Sequence, residues 1–398
     1  MKPFAERVNR IQPSMTVEID SLAKHLANEG RSICNLGVGE PNFDTPMHIK
    51  EAAINSVKKG LTRYTIPSGM QHFKEAVSKK LLNENGLDYS PEQIIATSGA
   101  KHAVFNAISA IVDYGDTVLI PSPHWVTYPD LIRYCGGKPV FLKSTVEHGF
   151  RLKPEQIEKA ITKKTKAIII NSPCNPTGVV YSKEELKAFA KIIVKNDLYC
   201  ISDEIYEHLV YIKEPIVSIA TMPGMKERTL IVNGFSKAYC MTGWRIGYLA
   251  APLDLANAIS KVQGQTTHHP SNISQYGAIA AIGGPFEPVL NMRAEYAEHS
   301  RRMCEVFESI PGIKFSRPQG AFYIFADVSA YYGKKSATGT KINNSIDFCK
   351  ALLDEHSVVI IPGAAFGHDS CIRISFSASL PAISISMPKF REFIEGLK

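Results

Sequence analysis

Apolar and polar positions alternate along the chain in two rhythms. Between about residues 90 and 250, short runs rich in β-branched residues are separated by longer segments of helical period. The runs are IIAT (94–97), TVLI (117–120), AIII (167–170), LYCIS (198–202) and LIVNGF (230–235). After the first run comes AVFNAISAIV, whose apolar residues recur every three to four positions as on one helix face. Unbroken apolar strands alternating with helices predict a largely parallel sheet covered on both faces. Beyond about residue 285 the alternation stops. A long charged helical stretch, MRAEYAEHSRRMCEVFESI, leads into GAFYIFADV, VVIIPG and CIRISFS, which reads as a smaller α+β domain.

Each of the five runs ends in polar or aromatic groups. IIAT runs into Ser98-Gly99-Ala100-Lys101, TVLI into PSPHW ending at Trp125, and AIII into NSPCNPTG, which contains Asn175. LYCIS runs into Asp203-Glu204-Ile205-Tyr206, and LIVNGF into Ser236-Lys237. Ligands of open α/β sheets bind beyond the carboxyl ends of the strands, so these groups are predicted to meet in one crevice. The first 46 residues contain the turn-like GVGEPNFDTP and too few strands to fold alone, and are expected to pack on the C-terminal domain or on a partner subunit. The expected divisions are 1–46, an arm joining the small domain; 47–284, a large domain; and 285–398, the small domain.

A chain of 398 residues is long enough for two such cores. With 44% hydrophobic and 21% charged residues it has an ordinary globular composition. The formal net charge of +7 is spread among acidic residues, which predicts a mildly basic surface and not a nucleic-acid-binding face. Eight dispersed cysteines form no CxxC pair and predict reduced thiols. There is no signal-like apolar segment and no membrane-length apolar run, so the expected location is cytoplasmic.

Lys237 ends an apolar run. Desolvation there lowers an amine's pKa and makes it a nucleophile, and Arg245, eight residues on, acts in the same direction if close. A lysine after a strand is as a rule a surface residue. Asp203 fits a helix N-cap as well as a functional carboxylate. Taken together, lysine and aspartate on neighbouring strand ends match what pyridoxal phosphate requires: a covalent anchor, and a partner for the pyridine nitrogen. The Ser98-Gly99-Ala100 turn and Arg245 offer an anion site, and Trp125 a flat face for a ring, although core packing explains a tryptophan equally well. Competing signatures are absent: no GxxxxGK[ST], no GxGxxG after a strand and no HExxH. Gly234-Phe235-Ser236-Lys237-Ala238 fails as a nucleophile elbow at Ala238. His268-His269 lacks further metal ligands, and no metal site is expected.

With these residues in view, the chain resembles the class I, fold-type I pyridoxal phosphate-dependent aminotransferases, within them the bacterial-type aspartate aminotransferases. SKAYCMTGWRIGY resembles the lysine signature, NSPCNPTG the asparagine loop, SDEIYEHLVY the aspartate-tyrosine strand end and CIRISFS the substrate arginine. GEPNFDTP, YTIPSGM, SPHWVTYP and GAFYIF extend the match over nearly the whole chain. The resemblance implies a seven-stranded, mostly parallel sheet and an obligate homodimer with shared active sites.

By the same resemblance Lys237 would hold the cofactor and shuttle a proton, Asp203 would pair with the pyridine nitrogen, and Asn175 and Tyr206 would bond the ring oxygen. Trp125 would stack on the ring. Ser98, Gly99, Ala100, Ser236 and Arg245 would hold the phosphate, with Tyr64 arriving from a second subunit. Arg373 would clamp the substrate α-carboxylate with help from Asn175, Trp125 and the Gly39 backbone. Lys101, Ser14 and Thr16 would meet a distal carboxylate, which favours aspartate or glutamate with their 2-oxo acids. Gln12 offers no extra cation for prephenate. Aromatic or alanine specificity and a carbon–sulfur β-lyase on the same scaffold remain alternatives. A cofactor-sensing DNA-binding regulator is disfavoured, because the N-terminal segment is too short for a winged helix plus linker.

Overall fold

The computed structural model of the protein describes residues 3–398. Thirteen strands form three sheets. The N-terminal β1 (Cys34–Asn35) precedes the seven strands of the large sheet: β2 (Ile94–Thr97), β3 (Thr117–Ser122), β4 (Lys138–Lys143), β5 (Thr165–Asn171), β6 (Tyr199–Asp203), β7 (Thr229–Gly234) and β8 (Gly247–Ala250). Their order is β2-β8-β7-β6-β5-β3-β4, and only β8 runs antiparallel to its neighbours. The sheet is therefore seven-stranded and mostly parallel, as the sequence predicts.

The unbroken apolar runs follow from burial on both faces. Along β5, Ala167 and Ile169 pack with Val104, Ile108 and Ile259 on one side, while Ile168 and Ile170 pack with Leu186, Phe189 and Ile193 on the other. The two strands that sequence reasoning passed over are β4 and β8. β4, KPVFLK at the sheet edge, keeps two exposed lysines, so its apolar signal is diluted. β8 is only four residues long and begins immediately after the loop that carries Arg245.

The C-terminal part holds β9 (Lys314–Phe315), β10 (Tyr323–Asp327), β11 (Val358–Val359), β12 (Ile361–Pro362) and β13 (Cys371–Ser375). Four of these form the antiparallel sheet β12-β13-β10-β9, backed by the helices Glu287–Glu308, Ser345–His356 and Leu380–Gly396. The N-terminal segment joins this part, since β1 pairs in parallel with β11. The helix Met15–Asn28 lays Ile19, Ala23 and Leu26 on Leu353 and Val359. Four cysteines are buried and four half-buried, and all eight are free thiols.

Five strand ends converge at one edge of the large sheet, and the reversed β8 adds a sixth group. Because Gly234 pairs with Gly247, the chain leaves the sheet after β7, loops out through residues 235–246 and returns at the same edge. That loop carries Lys237 near its start and Arg245 near its end. The eight-residue spacing is thus the span of one excursion between antiparallel neighbours.

Candidate active site

A cavity of about 390 Å³ opens at this edge, and its wall includes Lys237, Asp203, Trp125, Arg245, Lys101 and Arg373. At its floor Asp203 is the last residue of β6, and a turn follows it, so the helix-cap reading of Asp203 does not hold. The Tyr128 hydroxyl donates to Asp203 Oδ2 at 2.6 Å and the Ile205 N–H donates to Oδ1 at 3.3 Å. Burial pushes the Asp203 carboxyl up to about 6 despite these donors.

Lys237 is half-buried and donates to the Gly39 carbonyl. Burial lowers its ammonium to about 8. Arg373 and Arg245 push in the same direction and Glu40 opposes them, so the effect expected of Arg245 is present but secondary to desolvation. The Tyr206 hydroxyl meets that of Tyr323 at 2.9 Å.

Arg245 is gathered with the Ser98-Gly99-Ala100 turn. Its Nη1 donates to Thr242 O at 2.7 Å and its Nη2 to Ser98 O at 3.3 Å. Its backbone sits at φ +51°, a conformation that costs a non-glycine residue and that persists mainly at ligand-gripping sites. Gly99 is at φ +85°, and a Cβ there would stand 2.6 Å from Arg245 Nη2, so only glycine lets the arginine reach the helix start. The first N–H groups of the helix Ala100–Ile111 lack intrahelical acceptors. Ser236 lines the same cavity. Together these groups form a cradle for an anion.

Arg373, on β13, is 4% exposed. Its Nη1 donates to Asn175 Oδ1 at 3.0 Å and its Nη2 to Gly37 O at 2.7 Å, and its plane lies between the rings of Tyr323 (4.3 Å) and Phe366 (4.8 Å). Its buried Nε has no partner, and the groups that act on its charge among the described residues are the hydroxyls of Tyr323 and Tyr206, not a carboxylate. Lys101 also lacks a carboxylate partner there, and its Nζ lies 5.2 Å over the Trp125 ring. Burial first, then Arg245, lower its pKa.

Thr16 lines the cavity. Ser14 does not, and instead bonds the Thr16 hydroxyl at 3.0 Å, so the direct substrate contact expected of Ser14 becomes support for Thr16. Ser98 turns its carbonyl to Arg245 and faces an adjoining surface cleft. Tyr64 stands away from the cavity of its own chain, 90% exposed and edge-on to His268 and His269.

Sequence reasoning assigned no role to Tyr128, Asn171 or Tyr323. Tyr128 lies three residues after Trp125 in SPHWVTYP, and that spacing was the available signal. Asn171, closing the AIII run, donates to Asp203 O at 3.0 Å and accepts from Asn175 N–H at 2.8 Å. No cluster suited to a metal ion occurs among the described residues, and none of their helices is long and apolar enough to cross a membrane.

A covalent anchor, a buried carboxylate, a flat ring surface and an anion cradle on one cavity wall fit pyridoxal phosphate group by group. The family model for aminotransferases of class I and II matches residues 31–385. The chain is 41% identical over 393 residues to the aspartate aminotransferase of Bacillus subtilis, covering 98% of this chain and 99% of that one. It is 43% identical over 399 residues to the bifunctional aspartate aminotransferase and glutamate/aspartate-prephenate aminotransferase of Petunia hybrida, covering 99% and 83%. Among solved structures, the aspartate aminotransferase from Rhizobium meliloti superposes with a TM-score of 0.96 at 37% identity, over 100% of both chains. The chain belongs to the class I and II aminotransferase family.

Proposed function

We propose that the protein transfers the amino group of aspartate or glutamate to 2-oxoglutarate or oxaloacetate, with pyridoxal phosphate as cofactor and by a ping-pong mechanism. The observation that carries this reading is the pairing, in one cavity, of a floor that fits the cofactor with two cations, Arg373 and Lys101, that have no carboxylate partner among the described residues. A buried cation such as Arg373 is costly without a counterion, and a dicarboxylic substrate supplies one carboxylate to it and a second to the exposed Lys101.

Bound pyridoxal phosphate supplies an electron sink for negative charge developing at the substrate Cα. Lys237 Nζ, largely desolvated, would hold the cofactor, and its free amine would take the proton from the substrate Cα. Asp203 would favour a proton on the ring nitrogen, and Tyr128 holds that carboxylate in place. Tyr206 and the Asn175 amide would donate to the ring oxygen, Trp125 would cover the ring face, and Arg245 with Ser98, Gly99, Ala100 and Ser236 would hold the phosphate. Arg373, assisted by Asn175 and the Gly39 backbone, takes the α-carboxylate in a bidentate pair. Lys101 takes the distal carboxylate beside Thr16.

The reading includes a homodimer. The helix Met47–Lys58 and the segment after it expose Met47 (62%), Ile54 (51%), Val57 (50%) and Leu61 (38%) next to Tyr64, an apolar stripe suited to a second copy whose phosphate site Tyr64 would complete. Division into an arm (1–46), a large domain (47–284) and a small domain (285–398), and a cytoplasmic location, belong to the same proposal.

Two measurements test it. Borohydride reduction of the cofactor-loaded protein is expected to fix the label on the Lys237 peptide; a label elsewhere overturns the mechanism. In single half-reactions, aspartate and glutamate are expected to bleach the lysine-bound chromophore faster than alanine or phenylalanine. If they rank among the slowest, the role of Lys101 falls. Prephenate belongs in the companion screen of amino acceptors.

A further inference from the structure

Two cavity groups are held by one short stretch of backbone: the Gly37 carbonyl accepts Arg373 Nη2 at 2.7 Å, and the Gly39 carbonyl accepts Lys237 Nζ. What fixes this stretch lies outside the groups that touch substrate. The Gly37 N–H donates to Asn35 Oδ1 at 2.9 Å, and Asn35 Nδ2 donates to Asp20 Oδ1 at 3.2 Å. The other oxygen of Asp20 pairs with Lys24 Nζ at 2.8 Å, one helical turn on. Asp20 is thus the only carboxylate in a continuous series of hydrogen bonds that runs from the helix Met15–Asn28 through Asn35 and Gly37 to the guanidinium of Arg373.

The geometry leaves this stretch little freedom elsewhere. A Cβ on Gly37 would stand 2.9 Å from Ile361, so the peptide lies flat against the small sheet. An amide side chain can present either its oxygen or its nitrogen to a neighbour. With Asp20 as acceptor, Asn35 must turn its nitrogen outward and its oxygen to Gly37. Asp20 also faces the cavity, four residues after Thr16 on the same helix face.

We infer that Asp20 is a positioning residue for the substrate-carboxylate arginine, acting through Asn35 and Gly37 and so making the N-terminal helix part of the α-carboxylate site. The inference rests on the assignment of Arg373 given above. It separates Asp20 from Lys101: every amino acid and 2-oxo acid carries the carboxylate that Arg373 grips, so the effect of Asp20 is independent of the substrate side chain. It also separates positioning from charge. Removing a negative charge beside an anion site would by itself tighten anions, whereas loss of the relay weakens them.

The test uses the cofactor-loaded enzyme and five variants: Asp20→Ala, Asp20→Asn, Asn35→Ala, the double variant Asp20→Ala/Asn35→Ala, and Arg373→Lys. In Asp20→Ala, the KM for aspartate and for alanine is expected to rise together by about 3- to 10-fold, the size of one net hydrogen bond, with kcat held within about twofold. The dissociation constant of the non-reacting dicarboxylate succinate, measured by calorimetry, rises by the same factor. Asn35→Ala does the same, and the double variant Asp20→Ala/Asn35→Ala is no worse than either single one, because both remove one relay. Asp20→Asn keeps an acceptor oxygen and removes only the charge, so its KM and succinate dissociation constant stay at or below the wild-type values.

Unchanged constants in Asp20→Ala, a change for aspartate alone, tighter succinate binding, or a fall in melting temperature with KM intact each overturn the relay. If Arg373→Lys raises KM for both substrates while Asp20→Ala does not, the relay alone fails. If Arg373→Lys leaves both unchanged, the assignment of Arg373 fails and the relay with it.

Discussion

The floor of the cavity and its carboxylate-binding walls are built on opposite principles. On the floor, each polar group already has its partner: Asp203 takes Tyr128 and the Ile205 N–H, Tyr206 meets Tyr323, and Asn171 bridges Asp203 to the Asn175 loop. On the walls, positive groups are held by carbonyls and rings alone. Arg373 has an orphaned Nε, and Lys101 has only the Trp125 face. Satisfied groups fix a cofactor in one orientation before substrate arrives. Uncompensated cations hold interaction energy back until an anion binds. On the proposed function, the floor would set the chemistry and the walls the substrate.

The sharpest way to break this division is Asp203→Asn. The amide keeps the shape of the floor and a hydrogen bond to Tyr128, yet carries no charge to hold a proton on the ring nitrogen. kcat is expected to fall by on the order of 10²- to 10³-fold, the range for removing one preorganised electrostatic partner, and by the same factor for aspartate and alanine. Steady-state and half-reaction rates on both substrates check it. A loss confined to aspartate would mean that floor and walls are not separable.

Lys101→Gln probes the walls. It is expected to lower kcat/KM for aspartate by about 10-fold or more, as for one charge-assisted hydrogen bond, and to leave alanine unchanged. The contrast between substrates is the measurement. Equal losses on both would move Lys101 from the walls to the cofactor's phosphate end, near Arg245.

The two regions were not equally legible in the sequence. The floor announced itself through strand ends, because unbroken apolar runs can be read from one chain and a parallel sheet brings their carboxyl ends to one edge. Lys237, Asp203, Asn175 and Trp125 were singled out that way, and all four line the cavity. What escaped were supports set by packing. Tyr128 reads as an ordinary core aromatic until its hydroxyl is seen on Asp203, and Asn171 reads as part of a turn.

On the walls, Arg373 and Lys101 came from resemblance alone, since nothing in CIRISFS marks an arginine that will lie between Tyr323 and Phe366. Ser14 was placed one contact too close to substrate, because the pitch of a helix start cannot be fixed from the short sequence PSMT. β4 and β8 were missed for a different reason: an edge strand with exposed lysines and a four-residue antiparallel strand carry almost no periodic signal.

The smallest predicted effect is also the one that most finely resolves the floor. Tyr128→Phe keeps the ring that packs edge-on to Trp125 at 5.2 Å and removes only the hydroxyl on Asp203 Oδ2. Hydrogen bonds to a carboxylate stabilise its charged form, and the Tyr128 bond already opposes the burial that holds Asp203 near 6. Without it the Asp203 pKa rises further. The carboxylate then protonates at a higher pH, so the acid limb of the kcat/KM profile should move up in pH, with a loss of about 3- to 10-fold at neutral pH where one net hydrogen bond is missing. A profile measured against aspartate from pH 5 to 9 decides the matter. An unmoved acid limb with lower activity would make Tyr128 a packing residue. A limb displaced upward would show that the floor is tuned by a group whose only sequence mark was its spacing from a tryptophan.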